Sequence, residues 1–136
     1  LKPMFPIAQM RFARPTPDIN RLLRFYQEGL LLDVIGEFRD HAGYNGVMLG
    51  LPDASVHLEF TEQASRTEYP VPTHEHLLVL YFADAAIRDE YVTRLGLLGF
   101  LPVEPENPYW LLNGVTIEDP DGYRVVLVNK PGFSVG

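Results

Sequence analysis

The spacing of hydrophobic and polar positions changes period several times along this chain, and each change marks an element. Residues Ile7 to Ala13 predict a first strand. Ile19, Leu22, Leu23, Tyr26 and Leu30 then fall at i, i+3, i+4, i+7 and i+11, a stripe on one helical face. Thr16 is expected to be the N-cap, with Pro17 at the first helical position and Asp18 in the first turn, where a carboxylate suits the helix dipole. Gly29 is expected to cap the far end. Three strand-like runs follow, Leu31 to Phe38, Gly43 to Leu49 and Ser55 to Thr61, with turns at His41-Ala42-Gly43 and Leu51-Pro52-Asp53.

Residues 62–73 are polar, carry prolines and read as a linker, after which the order repeats. His76 to Phe82 is a strongly apolar strand. Asp84 predicts the cap of a helix that buries Ile87, Tyr91, Val92 and Leu95 and closes at Gly96 and Gly99. Phe100 to Glu104 is a short strand, followed by the loop Pro105 to Trp110 and a closing hairpin. Asp18 and Asp84 are 66 positions apart, as are Phe25 and Tyr91, and Gly29 and Gly96 are 67 apart. A constant offset of this kind marks a repeated unit, here βαβββ twice.

The closing hairpin is the most specific string. Val115 and Ile117 alternate with polar neighbours, Asp119-Pro120-Asp121-Gly122 supplies the turn, and Val125 to Val128 is an apolar strand. Glu118-Asp119-Pro120-Asp121-Gly122-Tyr123 before such a strand resembles the vicinal oxygen chelate superfamily, which includes glyoxalase I, bleomycin-resistance proteins and extradiol dioxygenases. The resemblance spans about Ile7 to Asn129. It implies an α+β fold of two paired βαβββ modules, 7–61 and 74–129, joined by the linker 62–73. Their curved mixed sheets would form an open half-barrel around a small-molecule pocket, often in a homodimer.

In that superfamily the first and last strand of each module commonly carry one metal ligand apiece. Carried over by resemblance, Glu59 within Val56-His57-Leu58-Glu59-Phe60-Thr61 and His76 at the start of module two stand at ligand places. The matching residue of the last strand is Val126. At the first strand the alignment lands on Arg11, or on Met10 with a one-residue shift, and Gln9 needs a further slip. Two of four places are kept, whereas a divalent ion usually needs three protein ligands. Arg11 would more naturally pair with Glu59 or hold an anionic ligand. The expectation is therefore no cofactor. A bound iron, zinc, nickel or manganese ion on Glu59 and His76 is the alternative, with His57 as a rival third ligand. His57 and Glu59 share a strand face by alternation, and His74 and His76 are expected to do the same. Without a metal, Glu59 would also be the candidate catalytic acid or base.

Tyr109 and Trp110, the latter the sole tryptophan, stand next to each other before the last sheet. They are candidates to line a ligand pocket, with Trp110 equally suited to plugging the barrel's open end. Phe38, Tyr44 and Phe60 would extend the aromatic surface, and Arg11 and His57 would add polar contacts.

Composition narrows the partners. A net charge of -7 without a Lys/Arg run disfavours nucleic acid and anionic membranes. With no cysteine there is no disulfide framework and no thiolate nucleophile. No signal peptide is legible at the start, so a soluble cytoplasmic protein is expected. Binding or sequestration of a small apolar or aromatic compound is the first expectation. A glyoxalase-like lyase, an isomerase or a dioxygenase is the alternative.

Overall fold

The computed structural model describes residues 6–51 and 54–132, so part of the expected turn at Leu51-Pro52-Asp53 lies outside the described residues. The chain divides into two compact units, Leu1–Gln27 with Leu31–Tyr69, and Glu28–Leu30 with Pro70–Gly136. Among the described residues no helix is long and apolar enough to cross a membrane.

Unit 1 holds β1 (Met10–Pro15), α1 (Ile19–Leu23), β2 (Asp33–His41), β3 (Tyr44–Gly50) and β4 (Val56–Gln63), with sheet order β1-β4-β3-β2. The outer pair β1/β4 is parallel and the rest antiparallel. The first strand begins and ends later than its apolar run predicts, because pairing with β4 continues through Pro15 and on to the Thr16 amide, which donates to the Thr61 carbonyl at 2.8 Å. That extension moves the helix start. Asp18, not Thr16, is the N-cap, its carboxylate accepting from the amides of Asn20 and Arg21. Thr16 is instead buried, its hydroxyl accepting from the Asp18 amide at 3.2 Å.

α1 continues into wider π-turns over Arg24–Gly29. Phe25 and Tyr26 meet edge-on at 4.8 Å, and each is buried, as are Leu22 and Leu30. The left-handed residue after the helix is Leu31 (φ 58), not Gly29. What Gly29 provides is room: a Cβ there would collide with the Leu95 side chain. Tyr26 stacks against Phe60 at 4.9 Å, and the Arg14 guanidinium lies over Phe60 and donates to the Tyr26 hydroxyl at 3.1 Å.

Unit 2 holds β5 (Leu77–Tyr81), α2 (Ala85–Leu97), β6 (Pro102–Val103), β7 (Gly114–Glu118) and β8 (Arg124–Val128), in the order β5-β8-β7-β6. Again the β5/β8 pair is parallel and the others antiparallel. Asp84 caps α2 through the Ala86 amide at 2.8 Å, and Gly99 (φ +97) follows its end. Leu95 is buried, but Ile87 is 45% exposed. Arg88 faces the sheet in its place, donating to the carbonyls of Asn113 and Leu127. The Asp119 carboxylate accepts from the amides of Asp121 and Tyr123 and fixes the final turn, with Gly122 at φ 88. β8 is buried from end to end.

Candidate functional site

The two ladders give an internal ruler. On β4, Glu59 stands between Ala13 of β1 and Met48 of β3. On β8, Val126 stands between Val79 of β5 and Thr116 of β7. Ala13 and Val79 are separated by the same 66 positions as the two helix caps, Asp18 and Asp84. Pairing register therefore makes Val126 the structural counterpart of Glu59. One is a carboxylate and the other a fully buried isopropyl group.

Ladder partners share a sheet face. Arg11, Ala13, Met48, His57 and Glu59 thus lie on one face of unit 1, and Phe60 with Val47 and Leu49 on the other. Phe60, expected to add aromatic surface to a cavity, belongs instead to the core against Tyr26, because it is one residue out of phase with Glu59. The Arg11 guanidinium donates to Glu59 Oε1 at 3.4 Å, with the carboxylate side chain 16% exposed and the arginine 40%.

Three glycines on this face each lie beneath a large ladder partner. Phe38 covers Gly46, Met48 covers Gly36, and the His57 ring covers Gly50, where a Cβ would stand 2.7 Å from Cδ2. The side chains therefore lie flat along the sheet. His57 is buried and its Nδ1 has no hydrogen-bond partner. Tyr44 is half-buried beside the β2/β3 turn, opposite Gln63.

Unit 2 contains a pocket of about 100 Å³. His74, Glu75 and Leu77 line it from the approach to β5, Pro105, Glu106, Asn107 and Trp110 from the loop before β7, and Thr116 from β7 itself. The loop is not irregular throughout. Asn107 caps a short 3₁₀ turn, Pro108–Leu111, by accepting from the Tyr109 amide at 3.0 Å. That turn lies close over β7 because residue 114 is glycine: a Cβ there would stand 2.6 Å from the Trp110 carbonyl oxygen. Trp110 is half-buried in the pocket wall, while Tyr109 meets it edge-on at 5.0 Å and is itself exposed.

The two histidines before β5 do not share a strand face, since His74 is in a turn and His76 precedes the first paired residue. His74 Nε2 lies 3.7 Å from Glu118, whose carboxylate is held by Arg124 at 3.1 Å. His76 is exposed, and its Nδ1 shares a hydrogen bond with the Thr73 hydroxyl. Sequence reasoning missed Thr116. It is only 3% exposed, and its Oγ1 has no hydrogen-bond partner. The β7/β8 register would have found it, as the residue opposite Val126.

The donor set does not fit a divalent ion. Val126, the counterpart of Glu59, has no ligating atom, the Arg11 guanidinium sits on Glu59, and His76 is bound to Thr73. Among the described residues no group of three His, Asp or Glu side chains converges as a metal site would require.

The duplicated βαβββ sheets, parallel at their outer pair, are the glyoxalase/bleomycin-resistance fold, the fold that the resemblance to the vicinal oxygen chelate superfamily implies. Within it, the chain belongs to the YycE-like family, matching its N-terminal domain over residues 10–61 and its C-terminal domain over 75–129. It is 50% identical over 130 residues to the uncharacterized protein YycE of Bacillus subtilis (strain 168), covering 96% of this chain and 94% of that one. The crystal structure of a YycE protein of unknown function from that organism superposes with a TM-score of 0.89 over 95% of this chain and 94% of that one.

More distant structures share the fold alone. Glyoxalase I of Leishmania major is 22% identical, with a TM-score of 0.68 over 88% of this chain and 84% of that one. TnmS3, an antibiotic binding protein from Streptomyces sp. CB03234, is 21% identical, with a TM-score of 0.66 over 93% and 98%.

Proposed function

We propose that this protein binds and sequesters a small apolar or aromatic molecule, and does so without a metal ion. The observation that carries the reading is the pair Glu59 and Val126: one ladder position, repeated, with a carboxylate in the first copy and an isopropyl group in the second. A lone carboxylate beside an arginine is a poor cation site, because the guanidinium already supplies the opposing charge. The unit 2 pocket, with Trp110 in its wall, supplies what a binder needs: an aromatic surface, an enclosing loop and a few polar groups. An antibiotic binding protein built on the same fold supports the same direction.

Elemental analysis of protein purified without chelators tests the reading, and a native-mass measurement on the same sample tests the expected homodimer. The result expected is no stoichiometric iron, zinc, nickel or manganese. Glu59→Gln should then leave ligand affinity unchanged. A stoichiometric metal that disappears with Glu59→Gln, together with turnover, would instead establish a metal-dependent lyase, isomerase or dioxygenase.

A further inference from the structure

We infer that the unit 2 pocket receives the cationic head group of a small organic molecule, an ammonium, guanidinium or protonated heterocycle. The inference deepens the binding reading above and rests on it. It starts from Thr116, a lining residue of the pocket whose buried hydroxyl has no partner of its own. A buried, unpaired hydroxyl is costly, and a bound group that donates to it removes the cost.

The rest of the wall specifies which group. Glu75 and Glu106 bring two carboxylates, and no lysine or arginine is among the lining side chains. Arg124 is committed elsewhere, to the Glu118 carboxylate and the Glu104 carbonyl. The Asn107 oxygen already accepts from the Tyr109 amide. An anion entering here would meet like charge, whereas a cation meets opposite charge beside an indole, the best aromatic partner for a cation.

Size agrees. A cavity of about 150 Å³ holds benzene, so one of about 100 Å³ suits a compact head group with the remainder of the molecule outside.

Trp110 is the sole tryptophan, so its emission reports on this pocket directly. The experiment titrates the full chain with millimolar guanidinium, tetramethylammonium and imidazolium chlorides at constant ionic strength. Sodium acetate and tert-butanol serve as the anionic and neutral probes. Saturable emission changes are expected for the three cations only.

Thr116→Val removes the hydroxyl and keeps the β-branched shape. It should weaken guanidinium roughly fivefold, about the worth of one net hydrogen bond. Tetramethylammonium, which has no N–H to donate, should bind as before, and Thr116→Ser should restore guanidinium. Replacing Glu75 and Glu106 together by Gln should weaken all three cations.

Acetate or tert-butanol binding as tightly as the cations, or no saturable response to any cation, overturns the inference. Repeating the titration with EDTA separates it from the reading it rests on. A stoichiometric metal that EDTA strips without loss of cation binding sinks the metal-free reading and leaves the cation pocket standing. A metal-free protein that prefers acetate sinks only the pocket assignment.

Discussion

Glu59 in unit 1 and Val126 in unit 2 occupy the same place in the same ladder, yet the faces around them have parted chemically. Around Glu59 the sheet keeps a charge and neutralises it with Arg11, and glycines let Phe38, Met48 and His57 lie flat beside it. Around Val126 the ladder is apolar apart from the Thr116 hydroxyl, and the polar groups have moved to the rim of a pocket. The difference teaches which part of a duplication is free to drift. A one-residue slip in register would turn Leu49 and Phe60, or Ile117 and Leu127, out of the core, so register is held in both units. It is on the opposite face that the side chains differ, a carboxylate in one unit and a buried isopropyl group in the other.

Exchanging the two residues is the strongest way to break the comparison. Val126→Glu puts a carboxylate on a strand where Val125 to Val128 are all buried. An unpaired charge in such a place costs about 3–5 kcal/mol, which denaturant unfolding would register as a large fall in midpoint. Added zinc or nickel is expected to give no recovery. A metal-dependent return of stability would mean that position 126 can take a metal and that the two faces have not parted. The reciprocal Glu59→Val, at a half-buried and weakly paired site, should change stability by about 1 kcal/mol or less.

Glycine replacements sharpen the same contrast at a smaller scale. Gly114→Ala drives a methyl toward the Trp110 carbonyl oxygen, a backbone atom of a capped turn that has little room to yield. Gly36→Ala meets only the terminal methyl of Met48, 2.9 Å away and free to rotate. Overpacking of the first kind costs about 1–3 kcal/mol and the second should cost well under that. Thermal unfolding compares the two. Trp110 emission should shift in Gly114→Ala alone, since only that change displaces the pocket wall.

Much of this architecture was legible in the chain, because helix and strand periods and the Asp-Pro-Asp-Gly turn are local signals. The repeat offset marked a duplicated unit, and the family resemblance singled out Val126 before any ladder was seen. Boundaries were less legible where pairing overrode composition: Thr16 looked like a cap, but continued pairing of β1 with β4 carried the start of α1 to Asp18. Phe60 looked like pocket lining because aromatic character does not reveal which face of a strand a residue occupies. Thr116 was invisible for a related reason. A threonine between Val115 and Ile117 reads as the outward member of an alternation, and only the β7/β8 register and the overlying Trp110 turn make it a buried, unpartnered hydroxyl.

Arg11→Ala is the mildest test, and it bears on why Glu59 survives at all. The pair is single, 3.4 Å long and partly open to solvent, so its loss should cost no more than about 1 kcal/mol. Screening should erase even that difference at high salt. A double-mutant cycle with Glu59→Gln isolates the pair, provided neither substitution creates a new contact. Coupling within that small range means that Arg11 only neutralises a leftover carboxylate, as the two-unit comparison requires. Coupling above about 2 kcal/mol that persists in high salt would mean that the pair is effectively desolvated and holds β1 to β4. Glu59 would then be a structural clasp of unit 1, with no equivalent at Val126.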